Sequence, residues 1–346
     1  MEIFKQMESY GHEQLVFGRD EKTGLRCIVA VHDTTLGPAV GGTRFFNYAS
    51  EADALYDVLR LSRGMSFKNA AGGLALGGGK AVILGDPKQL KNKEFLHAYA
   101  RIINSLGGKY YTAEDVNISA ADIDCMNEIT PYVVGTSANS GNPAPFTADG
   151  VYQGIKAGAK IKFGSESLKD KTFVVQGIGS VGYLLCKLLH EEGAKLKVYD
   201  IDQEAMNKAV TEFGAEPLQP QDVFTAECDV FSPCAMGAVL NNDNVKGLRC
   251  QIICGAANNV LVDASVGEAL QKLDILYLPD YIVNAGGVIN CGSELTDKPF
   301  SVERINQKVA GIYGTTLKII ELAKEKNITT YAAADEYALG IIKAGK

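Results

Sequence analysis

Residues 172–200, TFVVQGIGSVGYLLCKLLHEEGAKLKVYD, constrain the fold more than any other stretch. Thr172–Gln176 is a β-branched and aromatic run, the composition of a buried strand. Gly177-Ile178-Gly179-Ser180-Val181-Gly182 follows and spells G-x-G-x-x-G. Val181, Leu184, Leu185, Leu188 and Leu189 then recur at helical spacing, and Gly193 ends that helix as a left-handed cap would. Leu196–Tyr199 gives a second strand, closed by Asp200. A G-x-G-x-x-G alone is a weak signal; strand, glycine turn, helix, strand and terminal acid in this order form a dinucleotide-binding unit. The glycines permit a tight turn and let backbone N–H groups approach a pyrophosphate, which the helix dipole also attracts. Asp200 is placed to accept hydrogen bonds from ribose hydroxyls. Its charge would repel a 2′-phosphate, so the expected cofactor is NAD rather than NADP.

A chain of 346 residues suits two domains, each able to bury a core. The net charge of −7 is spread among charges of both signs, which argues against a nucleic-acid surface. The N-terminal MEIFKQMESYGHEQ is unlike a signal or transit peptide, and no apolar run approaches the ~20 residues of a membrane helix. The expectation is a soluble, cytoplasmic protein with no nucleic-acid or membrane partner. Eight cysteines at irregular spacing, without a C-x-x-C, read as buried thiols. His12, His32, His97 and His190 form no H-x-x-x-H or H-x-E pair. Ligands can converge in space, but the sequence argues for no metal.

Short apolar segments separated by turns (Gln14–Phe17, Arg26–His32, Gly37–Phe46) predict strands, partly antiparallel. Ser50 is placed to cap a helix to about Arg63. A glycine-dense loop, Gly72–Gly79, leads to Lys80 and a strand Ala81–Leu84. A helix at Lys93–Ser105, a strand at Lys109–Thr112 and a helix at Ala120–Glu128 follow. Gly135–Pro145, GTSANSGNPAP, reads as a linker, with Thr147 capping the next helix. Beyond residue 172 strands alternate with helices, as in an α/β, doubly wound parallel sheet. Its strands end in the small-residue loops Ser232–Ala235, Gly255–Asn259 and Asn284–Gly287. Ligands bind outside the carboxyl ends of such strands, which places Ala235, Asn258 and Asn284 near cofactor or substrate. A long helix at Val302–Lys324 and a last one at Tyr331–Ala344 end the chain, the last returning to the first domain.

The second informative stretch is residues 64–80, GMSFKNAAGGLALGGGK. It is not a P-loop, because Leu74 stands where glycine is required and Ala81 where serine or threonine is. Two lysines beside small residues, Lys68 and Lys80, suit another use. One can pair with a carboxylate; the other, desolvated and pressed by a neighbouring cation, can act as a base. Taken singly, either lysine reads first as a solvated surface charge, and Asp115 is similarly ambiguous.

His32–Ala39, Gly41-Gly42-Thr43-Arg44, Leu74–Lys80, Thr112–Val116 and Pro279–Asn290 resemble, in order, segments of the glutamate/leucine/phenylalanine/valine amino-acid dehydrogenase superfamily. The likeness spans nearly the whole chain and is strongest to the leucine-acting members. It implies an N-terminal α/β substrate-binding and oligomerisation domain (1–135 with 327–346) and a Rossmann-type NAD-binding domain (136–326). The implied reaction is the reversible NAD-dependent oxidative deamination of leucine, valine and isoleucine to 2-oxo acids and ammonium, by a homo-oligomer. Lys68 would bind the substrate carboxylate, with Gly41, Gly42 and Asn284. Lys80 would be the catalytic base and Asp115 the proton shuttle. Thr147 and Asn258 would face the nicotinamide. Val40, Ala113, Val288 and Cys291 would line the side-chain pocket, Cys291 departing from the usual valine. An aromatic amino acid as substrate, or a catalytically silent NAD-sensing protein on the same fold, are the alternatives. Closure of a cleft between the domains on the ligand is expected of this architecture.

Overall fold

Two sheets organise the computed structural model, which describes residues 2–345 and divides into two units. The first unit runs up to Pro143 and includes Val288–Val302 and the chain from Ala338 onward. The second is Ala144–Gly287 with Glu303–Tyr337.

The first sheet contains β1 (Gln14–Asp20), β2 (Leu25–Asp33), β3 (Ala39–Phe46), β4 (Gly77–Leu84) and β5 (Tyr110–Ala113), in the order β1-β2-β4-β3-β5. β2 runs antiparallel to β1 and β4, whereas β3 runs parallel to β4 and β5. Side chains alternate across the pleat, so each strand feeds two cores. On one face Ile28, Ala30, Val82 and Leu84 meet Ala54, Leu55, Val58 and Leu59 of the helix Glu51–Ala71. On the other, Val29, Phe45, Ala81 and Ile83 meet Phe95, Tyr99 and Ile103 of the helix Lys93–Ser105, with Ile123 and Met126 of the helix Ala120–Asn127. Ser50 does cap its helix, accepting from Asp53 N at 3.1 Å. The helix continues past Arg63 to Ala71, because Phe67, Ala70 and Ala71 prolong its buried face.

The stretch expected to be a loop through Gly79 is strand from Gly77 on. These glycines are there for close approach rather than for turning. A Cβ on Gly78 would lie 2.0 Å from Ser66 N of the covering helix, and one on Gly79 would lie 2.6 Å from the Tyr110 ring. Such positions within a strand exclude any larger residue.

The second sheet is entirely parallel. It contains β6 (Thr172–Gln176), β7 (Lys195–Tyr199), β8 (Glu216–Pro217), β9 (Val230–Pro233), β10 (Ile252–Ile253) and β11 (Leu276–Tyr277), ordered β11-β10-β9-β6-β7-β8. Chain progress reverses at β6, the switch point of a doubly wound sheet. Phe173, Val175 and Val198 pack on one face against Val151 and Ile155 of the helix Ala144–Phe163 and Leu185 and Leu189 of the helix Ser180–Glu191. Val174, Phe231 and Ile253 pack on the other against Leu240, Val266 and Leu270.

The segment read as a linker is held down. Gly135 N and Ser140 N donate to Glu294 Oε1 at 3.2 and 3.0 Å, and Asn290 Nδ2 donates to Ser140 O at 2.9 Å. These bonds tie it to the helix Gly286–Thr296, which accounts for Val288–Val302 grouping with the first unit, unlike the expected division. The helix expected to start at Thr147 starts at Ala144, with Pro145 in its first turn, where a missing N–H costs nothing. Thr147 therefore lies inside the helix rather than capping it.

Candidate active site

In the first unit the glycines bring the chemistry together. A Cβ on Gly41 would meet Gly79 O at 1.9 Å, and one on Gly42 would meet Glu114 O at 2.2 Å and Asp115 Cβ at 2.9 Å. The register pairs Gly42 with Ala113 and Ala30 with Lys80. β3 and β4 can thus lie close against the turn after β5, and Lys80 and Asp115 meet across it. Lys80 is only 5% exposed. Its Nζ donates to Asp115 Oδ2 in a buried ion pair. Asp115 Oδ1 accepts from Val116 N at 2.6 Å and from Arg44 Nε at 3.3 Å. Burial alone would raise the Asp115 carboxyl, but Lys80 and then Arg44 outweigh it and hold the group well below the ordinary carboxylate range. Lys68 is in the last turn of the helix Glu51–Ala71, two residues beyond Ser66, whose backbone rests on Gly78.

Four other candidates share this unit. Val40 is buried on β3, and Val288 and Cys291 stand three residues apart on one face of the helix Gly286–Thr296. Ala113 ends β5. Cys291 Sγ lies 3.8 Å from Ser140 Oγ. Burial pushes its thiol up to about 12, and Glu114, next to Ala113, is among the charges that add to the shift.

The second unit holds the glycine turn. Gly177 adopts φ +97°, and a Cβ there would lie 2.6 Å from Ala235 N. A Cβ on Gly182 would strike Gly177 O at 1.9 Å, whereas Gly179, which precedes the helix Ser180–Glu191, has open space around it. That is the shape a pyrophosphate needs: a tight turn closed from behind and clear in front of a helix N-terminus. Asp200 follows β7, its Oδ2 accepting from Ile178 N at 2.6 Å and its Oδ1 from Asp202 N at 2.9 Å. The acid therefore braces the turn. Gly177, Ile178, Gly179, Ser180, Val181, Gly182, Asp200 and Ala235 are thus contiguous and fit a dinucleotide.

Asn284 and Asn258, assigned separate roles in sequence, are hydrogen-bonded: Asn284 Nδ2 donates to Asn258 Oδ1 at 2.8 Å and to Ala256 O at 3.1 Å. Asn284 Oδ1 is buried without a hydrogen-bond partner among the described residues. A Cβ on Gly286 would lie 1.8 Å from Phe146 O and 2.9 Å from Thr147 N, so this loop and Thr147 are neighbours.

Arg44 had no assigned role in sequence, although it ends the Gly41-Gly42-Thr43-Arg44 segment. Its NH1 donates to Asp57 Oδ2 at 3.0 Å, and Asp57 also takes bonds from Tyr48 OH at 2.8 Å and Arg60 at 3.2 Å. His97, Cys125 and Glu128 also converge, their ligand atoms within 4.8 Å of one another. The cation that Glu128 meets there is the Lys93 ammonium, at 2.7 Å.

Comparison with known proteins identifies the family. Residues 12–136 match the family profile "Glu/Leu/Phe/Val dehydrogenase, dimerisation domain", and residues 196–344 match "Glutamate/Leucine/Phenylalanine/Valine dehydrogenase". A leucine dehydrogenase of Bacillus subtilis is 50% identical over 341 residues, 98% of this chain and 93% of its own. A valine dehydrogenase of Streptomyces coelicolor is 44% identical over 335 residues, 95% of this chain and 91% of its own. The crystal structure of L-tryptophan dehydrogenase from Nostoc punctiforme superposes with a TM-score of 0.88 at 40% identity, covering 99% of both chains. Among the described residues no helix is long and apolar enough to cross a membrane.

Proposed function

On the premise that the chain belongs to the Glu/Leu/Phe/Val dehydrogenase family, and so is an NAD(P)-dependent amino-acid dehydrogenase acting on CH–NH2 donors, we propose that it oxidatively deaminates branched-chain L-amino acids with NAD. The observation that carries the chemistry is the buried Lys80–Asp115 pair.

Lys68 pairs with the substrate carboxylate, with Asn284 and the backbone at Gly41 and Gly42 as further partners. NAD, held by the Gly177–Gly182 turn and Asp200, would supply the hydride acceptor for the substrate Cα. The residues on the page then handle protons. Lys80, having first passed its ammonium proton to Asp115, takes a proton from water as that water adds to the iminium carbon. Asp115 carries protons to and from the substrate nitrogen, so that ammonium leaves and a 2-oxo acid remains. A lysine and a carboxylate in one buried pair suit this traffic, because each can take up the charge change of the other.

Three features support the finer assignments. Val40, Ala113, Val288 and Cys291 offer small, uncharged surfaces that fit branched aliphatic side chains and provide no cation for a second carboxylate. Asp200 at the end of β7 favours two ribose hydroxyls over a 2′-phosphate. The family's dimerisation domain, matched over residues 12–136, fits a homo-oligomer.

The test is a panel of L-amino acids with NAD⁺ or NADP⁺, followed by reduced-cofactor absorbance at ~340 nm. Leucine, valine and isoleucine should give the largest kcat/KM, with NAD⁺ well ahead of NADP⁺. A panel led by phenylalanine, tryptophan or glutamate would refute the substrate assignment. Since one methylene is worth only ~1–3 kcal/mol in such a pocket, the three branched substrates should differ modestly from one another.

A further inference from the structure

We propose that Arg44 is a positioning residue for the reaction: it divides the two oxygens of Asp115, holding one so that the other is left for proton exchange with Lys80 and the substrate nitrogen. The inference rests on the deaminase reading above and adds a residue that acts through Asp115 rather than on substrate.

The geometry is a chain of alternating charges across three elements. Asp115 Oδ1 is taken up by Arg44 Nε at 3.3 Å and by Val116 N at 2.6 Å. Asp115 Oδ2 meets Lys80 Nζ. Arg44 is fixed by Asp57 Oδ2 at 3.0 Å, on the helix that also carries Lys68. Asp57 is fixed in turn by Tyr48 OH at 2.8 Å and Arg60 NH2 at 3.2 Å. Arg44 and Asp57 are both largely buried, at 25% and 15% side-chain exposure, so the pair is poorly screened. A guanidinium suits this place. It cannot give up its proton, so it contributes fixed charge without joining the proton transfer, and its planar fork reaches two carboxylates at once.

The groups that face Asp115 are Lys80 from β4, Arg44 from β3, Glu114 beside it, and the phenols Tyr48 and Tyr110. Two of these are cations. Without Arg44, Lys80 would be the one cation left among these groups to keep Asp115 ionised, and Lys80 is itself required to change charge during turnover. Arg44 therefore keeps the carboxylate available while Lys80 cycles.

The experiment is the pH profile of kcat/KM for leucine in the full-length protein and in Arg44→Met, Arg44→Lys and Asp57→Asn. Arg44→Met removes the charge while keeping an unbranched stem. It should move the acid limb to higher pH by about one unit, within the 1–3 units that an opposite charge at this range commands. kcat should fall at least ~10-fold with a smaller change in KM, as for an interaction expressed in the transition state. Arg44→Lys should restore part of the limb position. Asp57→Asn leaves the guanidinium in place but unpinned, and should move the limb in the same direction by less. It carries the test if Arg44→Met does not fold. An acid limb that stays fixed while rates drop uniformly with pH, or profiles unchanged in Arg44→Met, would overturn the proposal. Failure of the parent protein to oxidise any L-amino acid would instead overturn the deaminase reading and this inference with it.

Discussion

Gly78→Ala tests the packing on which the site depends. A Cβ at residue 78 would lie 2.0 Å from Ser66 N, 2.3 Å from Ser66 Oγ and 2.4 Å from Ser66 Cα. The obstacle is backbone and cannot rotate away. Ordinary contact requires about 3.5–4.0 Å, so the helix Glu51–Ala71 must move from β4 by more than ~1 Å. That helix carries Lys68, and β4 carries Lys80, so the shift separates the two lysines directly. Overpacking of this kind costs about 3 kcal/mol, which for units of this size lowers Tm by roughly 6–12 °C. A misplacement near 1 Å costs on the order of 100-fold in rate. Gly64→Ala, in the same helix, is the control. Nothing lies within 4 Å of its Cβ position, so alanine should stabilise by about 1 kcal/mol through helix propensity and leave activity intact. Thermal melts and kcat/KM for leucine measure both. If Gly78→Ala keeps its Tm and activity, or Gly64→Ala behaves as badly, the close-approach argument is wrong.

Two further outcomes follow from buried or shared charges. His12 and His32 sit with ring centroids 4.9 Å apart, and burial, reinforced for His12 by its neighbour, lowers both, His12 to about 3. The unfolded chain then binds more protons, so their stabilisation is complete above about pH 6.5 and is lost as pH falls toward 3, by up to ~4 kcal/mol for His12. His12→Gln should flatten the fall in Tm between pH 7 and 4; parallel curves for parent and variant would exclude the histidine. Asp200→Ser removes the carboxylate proposed to accept from the ribose and weakens the brace on Ile178 N, so KM for NAD⁺ should rise about 10-fold or more and the NADP⁺/NAD⁺ ratio should increase. An unchanged ratio would dissociate Asp200 from cofactor choice.

The second unit was the more legible in sequence because its information is local. A β-branched run, a glycine turn and a period-3.6 helix each announce themselves within a dozen residues, and β6, its helix and β7 lie where the pattern put them. The first unit was misread where glycine has two meanings. Gly77–Gly79 look like a loop by composition, yet they are strand because Ser66, Tyr110 and the backbone at Ala30, Asp33 and Gly37 crowd them, and those neighbours are remote in sequence. Similarly, Gly135–Pro145 has the composition of a linker, but Glu294 and Asn290, some 150 residues away, pin it. The helix Ile3–Tyr10 went unread although Ile3, Met7 and Tyr10 recur at helical spacing, because two turns are too few for that period to stand out. For the site, the glycine-rich stretch drew attention to Lys80, but its role and that of Asp115 came only through family resemblance. Their pairing needs the parallel register of β3 with β4 and β5, a long-range feature that no local pattern encodes.

Lys80→Ala bears most directly on the central claim that this amine performs the proton chemistry of deamination. The variant should bind NADH like the parent, measured by fluorescence titration, because the glycine turn lies wholly in the other unit. Its leucine-dependent reduction of NAD⁺ should fall by about 10³-fold or more, the scale of a lost general base. Leucine oxidation near the parental rate, with cofactor binding intact, would contradict the account.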